Sequence, residues 1–160
     1  MRKWLAVPIA AALSVAVIAP TLAGAASHRK CSLNLTFLTV PVKVSGNPPL
    51  SGTETRAATV DGKLCGRPFH GATRLAITYV GPGKPSTVLF AAFGPVGSLR
   101  GIAHAVGMRH PDGSVSISGS GKVSGGTGLY KGAVGSFSVA GSTPANSNVN
   151  TVNDVGTVRF

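Results

Sequence analysis

Residues 119–136 read GSGKVSGGTGLYKGAVGS, with seven glycines and a lysine directly after the second of them. Such a run suits either a loop that cradles phosphate or a reversal in a β-sheet. A Walker loop needs G-x-x-x-x-G-K-[ST], because backbone N–H groups wrap the phosphates and a hydroxyl meets magnesium. Here Gly121-Lys122 is followed by Val123, and Ser116 stands where the first glycine should be. A dinucleotide loop needs G-x-G-x-x-G opening a helix. Gly119-x-Gly121 leads to Ser124, Gly126-x-Gly128 leads to Lys131, and no helical pattern follows. The glycines therefore serve the path of the chain.

The flanks say which path. Ser114–Val123 alternates Val115 and Ile117 with serines, and Ala133–Gly141 alternates Phe137 and Val139 with small polar residues. Period two marks strands. Working outward, the same reading predicts strands at Ser32–Val40, Gly52–Val60, Arg67–Val80, Thr87–Phe93, Ser98–Met108 and Val155–Phe160. Pro41, Gly46-Asn47-Pro48-Pro49, Asp61-Gly62, Gly81–Pro85 and Pro111-Asp112-Gly113 are read as the punctuation, and Ser142–Asn153 as a polar loop or a lid. About eight short strands in one chain fit a sandwich or a closed barrel. The small-against-large pattern of Ser98–Met108 suits a tightly curved barrel wall.

Between its two strands the stretch spells G-G-T-G-x-Y-x-G-A-x-G through Gly125, Gly126, Thr127, Gly128, Tyr130, Gly132, Ala133 and Gly135. The glycines permit positive φ and close backbone contact at a hairpin reversal, with the Tyr130 ring folded over it. In this order the residues resemble the signature of the allene oxide cyclase and dirigent proteins, including their bacterial barrel-like relatives, over about Gly113–Gly141. The resemblance implies an all-β, eight-stranded antiparallel barrel with an apolar lumen, often trimeric among the plant members. It also implies hydrophobic small molecules as ligands, cyclised or stereochemically directed in the enzymatic members. The matched residues are scaffold and carry no chemistry over. A homo-oligomer is an expectation of the same kind.

The ends of the chain set the compartment. Residues 1–26 run from Arg2 and Lys3 through an apolar stretch to Ala23, Gly24, Ala25 and Ala26, the layout of a signal peptide cleaved after Ala25 or Ala26. A retained anchor is the alternative, disfavoured by Pro8 and Pro20. Residues 27–160 then form one domain, with no later stretch able to cross a membrane as a helix. Without Arg2 and Lys3 there remain 13 Lys and Arg against 4 acidic residues. The positive charges are scattered singly, which argues against a specific nucleic-acid footprint and for weak contact with anionic envelope polymers. Cys31 and Cys65, an even pair in an exported chain, are expected to form a disulfide. Closing that loop would stabilise by about 4 kcal/mol in the chain-entropy account.

Candidate chemistry is sparse. Of the acids, Asp61, Asp112 and Asp154 are read as turn residues, and Glu54 alone falls in a strand, sharing a face with Arg56. That pair points into the barrel mouth or lies solvated on the outer wall. His28, His70, His104 and His110 do not converge, so no metal and no cofactor are expected. His104 lies mid-strand with Ile102, Val106 and Arg100 on its face. No G-x-S-x-G elbow is present. The lumen candidates are Glu54, Arg56, Arg74, Tyr79, Arg100 and His104, on a barrel that binds an apolar ligand or, as the alternative, orders a substrate for cyclisation or isomerisation. Asn34-Leu35-Thr36 forms a glycosylation sequon inside a strand.

Overall fold

The computed structural model describes residues 30–160; the signal segment and His28 lie outside that range. Eight strands run β1 (Cys31–Asn47), β2 (Ser51–Leu64), β3 (Arg67–Tyr79), β4 (Ser86–Gly94), β5 (Gly97–Arg109), β6 (Val115–Gly126), β7 (Val134–Thr143) and β8 (Asn150–Arg159). Each pairs antiparallel with its neighbours in sequence, and β1 pairs with β8, so the sheet closes into a barrel. Closure removes the exposed edges that an open sheet of such valine-rich strands would offer to other chains.

Most strands are longer than expected, for two local reasons. Pro41 does not end β1: a register shift between Pro41 and Lys43 absorbs it, and pairing with β2 continues to Asn47↔Ser51. Asp61-Gly62 is not a turn. Both residues stay in β2, and the reversal falls at Cys65-Gly66, whose φ values of 55° and 76° are the paired left-handed conformations of a tight two-residue hairpin. Cys65 is joined there to Cys31, tying the start of β1 to the β2–β3 turn.

The barrel has a closed end and an open one. At the closed end Phe69, Leu64, Leu99 and Val158 are almost fully buried, and the glycine-rich segment completes the seal. Gly125 and Gly126 belong to β6 itself, followed by a single 3-10 turn at Gly128–Tyr130. Tyr130 lies against the bare backbone of Gly126, where a Cβ would come 3.0 Å from Tyr130 Cβ, and its ring enters the barrel end, with centroids 5.6 Å from Phe69 and 5.8 Å from Phe160. Gly128 and Gly132 hold positive φ of 59° and 79°, and a side chain on Gly128 would strike the Val96 carbonyl. Glycine here lets the chain cross the barrel end in close contact with the β4–β5 turn.

Halfway up, Phe90 and Phe137 meet edge to face inside the lumen, centroids 5.6 Å apart. Their rings take the volume that the opposing wall gives up. A Cβ on Gly101 would lie 2.6 Å from the Phe90 ring, and one on Gly121 would lie 2.6 Å from Phe137 Cε2 and 2.9 Å from Ala103 Cβ. The small residues of β5 and β6 therefore face in, while Ile102, His104 and Lys122 face out. Gly121→Ala is expected to cost about 1–3 kcal/mol through overpacking, read from urea denaturation. Adding Phe137→Leu should restore part of it, and an additive pair would refute the steric account.

Candidate functional site

Above the two phenylalanines the lumen is not filled. A cavity of about 130 Å³ remains, walled by hydrocarbon from Phe37, Leu75, Ile77, Val88, Phe90, Ala103, Ala105, Ile117, Val139 and Val152. It lies toward the open end, where Thr39, Arg56, Tyr79, Ser86, Gly107 and Asn150 also line it.

Alternation places the polar groups. Glu54 and Arg56 sit two apart on β2 and both turn inward, each 7 % exposed. The pair thus occupies the mouth and not the outer wall. Arg56 Nη1 donates to Glu54 Oε1 at 2.5 Å, and Arg56 Nε donates to Thr39 Oγ1 at 2.8 Å. Arg56 Nη2 reaches the Thr39 carbonyl at 3.1 Å, the Asn148 carbonyl at 2.6 Å and Asn150 Oδ1 at 3.2 Å. One guanidinium therefore joins β1, β2 and the β7–β8 loop, using the planar fork that makes arginine suited to buried pairing. The polar segment expected as a free loop or lid is held at Asn148, and its last residues, from Asn150 onward, belong to β8.

Tyr79, at the end of β3, donates its hydroxyl to Glu54 Oε2 at 2.6 Å. Burial, then the bond and charge of Glu54, push its phenol far above the ordinary value, so Tyr79 is a neutral donor throughout the working range of pH. Thr143 Oγ1 donates to Asn150 Oδ1 at 2.7 Å. The mouth network is saturated: the Glu54 carboxylate and the Arg56 guanidinium cancel in charge and each has several partners.

The other three lumen candidates lie elsewhere. Arg74, Arg100 and His104 are exposed on the outer wall. Arg100 and His104 share the outward face of β5 with Ile102, because the inward face is given to Leu99, Gly101, Ala103 and Ala105. Arg74 alternates with Thr73 and Leu75, which face in. His104 Nδ1 makes one long contact, 3.4 Å, with Thr87 Oγ1. His70 pairs with Asp61 at 2.8 Å on the outer surface. Among the described residues no three His, Cys, Asp or Glu converge on a metal position, and no helix is long and apolar enough to cross a membrane.

Sequence reasoning missed Asp154. It does not lie in a turn but in the middle of β8, facing the lumen between Leu35 of β1 and Val139 of β7. It is 9 % exposed, and its Oδ1 has no hydrogen-bond partner. Burial without a partner pushes its carboxyl up to about 7. The only signal available in sequence was parity: Val152, Asp154 and Val158 share a face, and a strand begun five residues earlier would have placed the carboxyl inside.

The fold and site together define a small closed β-barrel whose apolar lumen carries a saturated polar network at the mouth and one unpaired carboxyl deeper down. No protein-family model matches the chain, and no curated protein matches it. Among solved structures, pyocyanin demethylase is similar to it at a TM-score of 0.43 and 13% identity, over 77% of this chain and 99% of that one. The likeness is weak, and nothing about activity follows from it.

Proposed function

We propose that this chain is an exported barrel that binds a small apolar molecule in its lumen without transforming it. The cavity carries the reading: about 130 Å³ of hydrocarbon-lined space beside well-packed side chains. An engineered apolar cavity of about 150 Å³ stays dry and takes up benzene, so a ring-sized guest matches the scale of this space. A long acyl chain would leave most of its length outside the mouth. The resemblance of Gly113–Gly141 to the allene oxide cyclase and dirigent barrels supports the same class of ligand. The signal-like residues 1–26 and the Cys31–Cys65 disulfide support export, and the scattered outer lysines and arginines suit weak contact with anionic envelope polymers.

Ethylbenzene is the direct test. It should bind the native protein with measurable heat in calorimetry, and Ala105→Phe, which places a ring in the cavity, should abolish that binding while the protein stays folded by circular dichroism. Binding that survives Ala105→Phe would place the guest elsewhere and refute the lumen reading.

One observation favours a second reading, an isomerase or cyclase. A carboxyl with a pKa of about 7 beside an apolar cavity is suited to give and take a proton near neutral pH. On that reading Asp154→Asn stops product formation, followed by mass spectrometry, and leaves ligand uptake intact.

A further inference from the structure

Among the described residues, the lumen holds one charge that nothing answers. Glu54 and Arg56 neutralise each other at the mouth, and Tyr79 is a neutral donor. Every other described lysine, arginine and histidine, and the carboxylates of Asp61 and Asp112, are exposed outside the barrel. Asp154 remains. Its cross-strand partners Leu35 and Val139 have no donor to offer, and Phe37, Val139 and Val152 line the cavity with it. Buried carboxyls are ordinarily met by a cation or by N–H groups. This one has its Oδ1 unsatisfied on the wall of an empty apolar space.

We propose that Asp154 is the anchor of the ligand site, and that the lumen selects a compact, ring-sized apolar molecule bearing one cationic nitrogen. The inference rests on the reading of the lumen as a binding site and adds the chemistry of its guest. An ammonium entering the lumen supplies the charge-assisted hydrogen bond that the fold withholds. It also brings the charge of the lumen to zero, since the Glu54–Arg56 pair contributes none. The hydrocarbon wall accepts the rest of the molecule. In the free protein at mildly acidic pH the carboxyl holds a proton that the cation must displace, so binding releases a proton there and weakens as pH falls.

Benzylamine and ethylbenzene have the same size and shape, and the amine stays protonated from pH 5.5 to 8.5. Titrated into the native protein at pH 8.5, benzylamine is expected to bind at least about tenfold more tightly, the worth of one hydrogen bond to a charged group. Methyl resonances of Val139 and Val152 should shift with both probes, placing them in the lumen. At pH 5.5 the advantage should be lost or reversed, because the cation must displace the proton, an arm that needs no variant. Asp154→Asn at pH 8.5 should erase it while ethylbenzene affinity stays within about twofold. Equal binding of the two probes at pH 8.5, or an advantage that survives Asp154→Asn, would overturn the anchor and leave the lumen reading standing on ethylbenzene. Failure of both probes to bind would overturn the lumen reading and the anchor together.

Discussion

Asp154→Asn is expected to stabilise the protein by about 4 kcal/mol at pH 8 and to change it little at pH 3.5, the difference following from a carboxyl pushed by burial to about 7. Unfolded, the same carboxyl titrates at its ordinary value of 3.8. Between those two values the folded chain keeps a proton that the unfolded chain has released. The contribution of Asp154 to stability is therefore most favourable below the unfolded value, falls as pH rises, and levels off above the folded one. The asparagine variant carries no such charge and should lack that decline. Asp112 does not confuse the window: its bonds from the Ser114 hydroxyl and amide hold it below the usual carboxylate range, so its contribution is lost only on the acid side. Urea denaturation of both proteins at pH 3.5, 5, 6.5 and 8 reads the effect. Parallel profiles for the two proteins would show that Asp154 is solvated or paired in solution.

Arg56→Met should be the most damaging single change at the mouth, costing about 3–5 kcal/mol. Removing one partner of a buried ion pair strands the other charge in the interior. Here Glu54 would keep only the Tyr79 hydroxyl, and the Thr39 and Asn148 carbonyls would each lose a donor. Because the same guanidinium holds Asn148, amides of residues 145–149 should exchange faster with solvent in the variant. Adding Glu54→Gln should recover a large part of the loss, since the stranded charge is gone. A cost under about 1 kcal/mol, the scale of an exposed pair, would mean that the mouth network is solvated.

Both predictions depend on residues whose side of the wall had to be known. For Glu54, Arg56 and Tyr79 the sequence placed each in a strand but left the face of the Glu54–Arg56 pair open. For Arg100 and His104 the expectation ran the wrong way. It assumed that the larger members of β5 face the core, whereas the lumen of an eight-stranded barrel is narrow and the Phe90 and Phe137 rings already occupy it at that level. Gly101, Ala103 and Ala105 face in because nothing larger fits. Asp154 was lost for a different reason: acids beside asparagine usually mark turns, and β8 begins five residues before its alternation becomes apolar enough to recognise.

The sequence by itself determined an all-β chain of about eight strands, a cysteine pair able to cross-link, and a glycine run that matches neither nucleotide-binding pattern. These are consequences of local chemistry: period-two alternation, turn residues, and the missing hydroxyl and missing helix of the nucleotide motifs. Tertiary structure decided which face of each strand points in, which end of the barrel is sealed and where the unpaired carboxyl lies. Those depend on how volume is shared across the lumen between strands far apart in sequence. The ring that fills a space and the glycine that yields it, as Phe137 and Gly121 do, are matched only when the barrel closes.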